Sequence, residues 1–97
     1  MTKPMAIPVH PGAILADELK AREMSASRLA LDLGVPSGRI VEIINGKRAI
    51  SADTALRLSL CFGTSAQFWM NLQTQFDLAC VEKEKGKQIA ARVKPAA

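Results

Sequence analysis

Apolar positions along this chain recur at steps of three and four residues, and the stretches between them end on glycine, proline or serine, so the pattern predicts helices. Ile14, Leu15 and Leu19 give one face to a first helix opening at "HPGAILADELKAR". There Pro11 suits the first helical position, Val9 and Ile14 have the spacing of a hydrophobic staple, and Glu18 precedes Arg22 by four. Ser25 is a fitting N-cap for "ASRLALDL", a second helix with Leu29, Ala30 and Leu33 on its apolar side and Gly34 at its end. A third, short helix runs from about Pro36 to Ile44 and closes at Asn45-Gly46, leaving "KRAI" as a loop. Ser51 caps a fourth, "ADTALRLSLCF", with Asp53 in its first turn and Gly63 at its end. A fifth opens at Ser65 and carries the stripe Phe68, Trp69, Leu72, Phe76, Ala79 and Cys80. The pattern dissolves after Glu84 into "KGKQIAARVKPAA", expected to be a loose basic end. Three segments follow: an extended arm over 1–8, a helical domain over 9–84 and a basic tail over 85–97.

Composition agrees with an all-α fold. Ninety-seven residues, 48% of them hydrophobic and none of them tyrosine, suit one helical domain with a single core. No apolar run is long enough for a signal peptide or a membrane span, and the expected location is the cytoplasm. Cys61 and Cys80 lie far apart inside apolar helical patterns and read as buried, reduced thiols. The single His10, beside Pro11, reads as a helix cap. One histidine, no plausible triad, no metal spacing and no phosphate-cradling glycine loop argue against an enzyme and against any cofactor. The net charge of +4 permits a polyanionic partner, but five of the thirteen cations crowd residues 83 to 94. A nucleic-acid reading therefore has to come from where residues sit.

The third helix supplies that placement. On a helical wheel Ile40 and Ile43 point one way, while Gly38, Val41, Glu42 and Asn45 point the other, flanked by Ser37 and Arg39. A helix, a short glycine-bearing turn and a second helix anchored by isoleucines beneath and presenting small or polar groups outward form the layout of a helix-turn-helix, whose second helix enters the major groove. Residues 26 to 45 resemble the helix-turn-helix of the Xre and phage-repressor family: Leu29 and Ala30, Gly34 at the turn, Val35 after it, then Ile40 and Ile43. "HPGAIL", "INGKRAISADTALRL", "FGTSAQFWMNLQ" and "FDL", in this order, are similar to the HigA branch of that family, the antitoxins of HigB-HigA toxin-antitoxin pairs.

The resemblance implies a five-helix bundle of lambda-repressor-like type that binds double-stranded operator DNA, represses its own operon, neutralises a HigB-like ribonuclease toxin and forms a homodimer. The residues fit a DNA site. The start of the second helix, near Ser25, offers free N–H groups and a positive dipole end to a phosphate. Many relatives place a glutamine just inside that helix, whereas this chain has Ala26, so the contact is lost or passes to Ser27. Asn45, Gly46, Lys47 and Arg48 follow the third helix where similar repressors grip the backbone, although the same cations also suit a plain C-cap. Glu42 either accepts from a cytosine amino group or is held by Arg39, three residues back. Ser37 and Gly38 offer little direct readout by side chain, which leaves room for DNA shape or close backbone approach. Phe68, Trp69, Leu72 and Phe76 are expected to form core or dimer surface. Two other readings stay open: a stand-alone Xre-type repressor without a toxin, and a neutralising module that barely binds DNA.

Overall fold

The computed structural model describes residues 8–96. Five helices follow one another: α1 (Pro11–Ala21), α2 (Ala26–Leu33), α3 (Ser37–Ile44), α4 (Ala52–Phe62) and α5 (Ala66–Arg92). The described residues contain no strand. Apart from Pro8, the arm expected over residues 1–8 lies outside the described residues.

Local chemistry sets most boundaries. Serine hydroxyls cap three helices: Ser25 Oγ accepts from Arg28 N, Ser51 Oγ from Thr54 N and Ser65 Oγ from Phe68 N. His10 does the same for α1, its Nδ1 accepting from Gly12 N at 2.9 Å, and its ring meets Phe76 edge-on at 4.8 Å. α2 stops at Gly34, whose φ of 71° only glycine adopts without strain, and Val35 N donates back to Ala30 O.

The core lies where the helices converge, on Leu15 and Leu19 of α1, Leu29, Ala30 and Leu33 of α2, and Ile40 and Ile43 of α3. Ile50, Ala55, Leu58 and Trp69 complete it. Trp69 is 1% exposed and its indole N–H donates to Thr64 Oγ1, so it belongs to the core of one chain and has no surface left for a dimer. Phe68, beside it, is 43% exposed, while Leu72 and Phe76 are half-buried. Both cysteines are free thiols, half-buried rather than fully enclosed.

The largest departure from expectation is at the C-terminus. α5 does not fray after Glu84 but continues to Arg92, a helix of 27 residues and about 40 Å, and the molecule is correspondingly long, 50 Å by 23 Å by 23 Å. Each further residue added to an existing helix needs no new nucleus, so the lysine-rich stretch extends what the core-anchored part has begun.

Candidate nucleic-acid interface

α3 is held from below and left bare above. Ile40 and Ile43 are fully buried, whereas Ser37, Gly38, Val41, Glu42 and Asn45 are all exposed. α1 crosses α3 so closely that a Cβ added to Gly12 would lie 1.8 Å from the carbonyl oxygen of Ile43. Gly12 therefore sets the depth at which α3 sits. Gly38 is different: nothing of the chain lies within 4 Å of where its Cβ would be, so packing within the monomer does not require glycine there.

Two long-range contacts fix the turn and the loop on either side of α3. Arg57 of α4 donates through Nη1 to Leu33 O at 2.8 Å, capping the end of α2, and through Nε to Asp53 at 2.8 Å. Buried Gln73 of α5 accepts from Ile50 N at 2.7 Å, closing the loop after α3, and donates through its amide to Asp77. Neither residue stood out in the sequence, because each partner lies more than twenty positions away.

The charges around α3 are arranged otherwise than the spacing suggested. Glu42 does not pair with Arg39; it binds Arg48, with Oε1 at 2.6 Å from Nη2 and 2.7 Å from Nε. Arg39 is half-buried and reaches Asp53 Oδ1 at 3.0 Å instead, tying α3 to α4. The tertiary neighbour wins because the chain folds Asp53 beside Arg39, and the turn after α3 brings Arg48 back to Glu42. Asp53 thus receives two guanidiniums: the hydrogen bond from Arg57 above all, opposed by desolvation and reinforced by the charge of Arg57 and then by the hydrogen bond and charge of Arg39, holds its carboxyl below the usual carboxylate range.

The remaining candidates cluster at the two ends of the bare face. Ser25 and Ser27 are exposed at the start of α2, where the N–H groups of Ala26 and Ser27 precede the first intrahelical bonds. Asn45, Lys47 and Arg48 are exposed at the end of α3, and among the described residues Lys47 is in no ion pair. The three ion pairs that do not touch α3 (Glu18–Arg22, Arg28–Asp32 and Asp53–Arg57) each join residues four apart on one helix. Among the described residues no cluster of side chains could hold a metal, and no helix is long and apolar enough to cross a membrane.

The comparisons with known proteins agree with this geometry. A family model described as Helix-turn-helix matches residues 15–69, from the core of α1 into α5. Virulence-associated protein I of Dichelobacter nodosus is 50% identical over 78 residues, spanning 79% of this chain and 72% of that protein. Among solved structures, an addiction module antidote protein of the HigA family from Coxiella burnetii superposes with a TM-score of 0.91 at 48% identity, over 94% of this chain and 100% of that one. Antitoxin HigA of Pseudomonas aeruginosa, solved with the higBA promoter, does so with a TM-score of 0.90 at 44% identity, over 94% and 100% of the two chains. With its bare, isoleucine-anchored α3 and the extended match to these proteins, the chain belongs to the Xre-type helix-turn-helix family, in its HigA antitoxin branch.

Proposed function

We propose that this protein is a DNA-binding antitoxin of a HigB-HigA pair, which as a homodimer represses its own operon and neutralises a ribonuclease toxin. The observation that carries the DNA half is the outward side of α3: five exposed positions that its own core does not use, set between the N-terminal end of α2 and the turn bearing Lys47 and Arg48. In this reading α3 lies in the major groove, Ser25 and Ser27 hold a phosphate at one end, and Asn45, Lys47 and Arg48 hold the backbone at the other. Val41 and Glu42 face base edges, and Gly38 lets the helix backbone approach them closely. Arg39, committed to Asp53, holds α3 at its angle and reaches DNA only at the margin of the groove. The antitoxin half rests on the family, whose relatives include a HigA solved with the promoter of its own gene pair.

Both halves are tested by co-expression with the product of the adjacent gene and by binding to the DNA upstream of the pair. The protein is expected to co-purify with that product, to relieve its growth inhibition and to shift the upstream duplex. A Lys47→Ala, Arg48→Ala variant is expected to keep neutralising while losing the shift. If wild-type protein shifts the duplex but neither binds nor relieves the neighbour, the stand-alone repressor is the correct reading; if it binds no duplex, the DNA half is wrong.

A further inference from the structure

The outward face of α3 is uneven in chemistry. Ser37 and Asn45 can donate and accept hydrogen bonds and Glu42 can accept them, but among them stands Val41, the large hydrophobic residue of α3 that the fold leaves exposed, at 44%. The core does not require it, since Ile40 and Ile43 on the opposite side of the helix fill that role and Val41 is no part of the buried cluster. Helix formation does not require it either, because a β-branched side chain loses rotamer freedom in a helix and serves it less well than alanine. Gly38, one turn earlier, is unexplained within the monomer in the same way: glycine weakens a helix, and nothing of the chain lies within 4 Å of where its Cβ would be.

Helical spacing places Val41 three residues after Gly38, four after Ser37 and four before Asn45, so these four share one strip of the helix. Glu42 lies on the other flank, and its carboxylate is bonded to Arg48 at 2.6 Å, so its charge is matched and not left open beside the valine. The base edges of the major groove carry donors and acceptors, and the apolar group among them is the C5-methyl of thymine. A valine set against a donor or acceptor would strip it of water without replacing the hydrogen bond. Set against a thymine methyl, it removes apolar surface from water on both sides. Valine is short, so this contact needs the helix close to the bases, and glycine one turn away takes out the side chain that would hold them off.

We infer that Val41 reads the C5-methyl group of a thymine in the operator, and that Gly38 is the residue that lets α3 come near enough for it to do so. The inference rests on the placement of α3 in the major groove under the proposed function. It names what the middle of that face selects: a thymine in each half-site, where cytosine would leave the valine without an apolar partner.

Binding of the full chain to the duplex upstream of the gene pair, with each thymidine replaced in turn by deoxyuridine, tests it. That exchange removes one methyl group and leaves every hydrogen-bonding group of the base pair in place. Wild type is expected to lose affinity about fourfold when one particular thymine of a half-site is changed. Val41→Ala, with its helicity checked by circular dichroism, is expected to bind thymidine and deoxyuridine at that position alike. Its slope of log K against log salt should match that of wild type, because no phosphate contact is removed. Gly38→Ala is expected to melt no lower than wild type and yet to bind the operator at least tenfold more weakly. A wild type that binds the upstream duplex but is indifferent to every thymine methyl would overturn the inference. So would a deoxyuridine effect that persists in Val41→Ala, which would assign the methyl to another residue or to the stiffness of the DNA. A Gly38→Ala variant that binds as tightly as wild type would overturn the close approach. Failure to bind the upstream duplex at all would bring down the proposed function as well, so the two failures are read apart.

Discussion

Glu42 shows how one residue can restrain a neighbour's function. Its carboxylate holds Arg48 on the outward side of α3, so on the proposed reading it would, before binding, neutralise one of the cations assigned to the DNA backbone and repel phosphate. Glu42→Ala is therefore expected to raise affinity for random duplex by freeing Arg48, and at the same time to change sequence preference at one or two operator positions by about 1–3 kcal/mol each. Competition binding against single-position operator variants reads both effects. Asp53 plays the structural counterpart, holding Arg39 and Arg57 together. Its carboxyl is lowered in the folded protein, so the stability it contributes is complete above the ordinary carboxylate value of 3.8 and is lost as pH falls through the lower, native one. Thermal unfolding should show wild type above Asp53→Asn at neutral pH, with the gap closing only in strong acid. A gap that persisted there would mean that charge is not its source.

Among the elements, the positioning of α3 depends on contacts of very different legibility. Caps are local, so Ser25, Gly34, Ser51, Gly63 and Ser65 mark helix ends in the sequence at the places the structure has them. The isoleucine side of α3 was legible for the same reason, since one helical period contains it. Arg57 and Gln73 were not, because their acceptors and donors become neighbours only after the chain has folded. Nor was the length of α5, whose outer half has no core-facing pattern and resembles a solvated end. The close crossing at Gly12 was equally hidden, and it yields a direct test: Gly12→Ala must push α1 from Ile43 and should cost about 1–3 kcal/mol in chemical denaturation. Gln73→Leu should cost a similar ~1–3 kcal/mol by leaving the N–H of Ile50 buried without an acceptor. A loss in either variant below a few tenths of a kcal/mol would show that the crossing or the loop relaxes freely.

At the scale of the whole molecule, the chain divides its labour along its length. The α2–α3 unit is braced by α1, α4 and the first half of α5, and the rest of α5 projects from that body with an apolar side of its own. Of the net charge of +4, α5 carries little, since its four cations face three carboxylates, and the stretch from Ser25 to Arg57 has five cations against three carboxylates, so on the proposed reading operator affinity comes from a few placed cations and not from a general basic field. Lys47 is the cleanest of these, exposed at the end of α3 and paired with no carboxylate among the described residues. The most direct test of the account is the salt dependence of binding to the duplex upstream of the gene pair, for wild type and Lys47→Ala, beside a random duplex. The account predicts that Lys47→Ala weakens binding to both duplexes alike, shallows the slope of log K against log salt by about one unit per subunit contact, and preserves the preference for the upstream duplex. An unchanged slope, or a preference lost together with the affinity, would contradict the placement of α3 in the groove with its phosphate grip at Lys47.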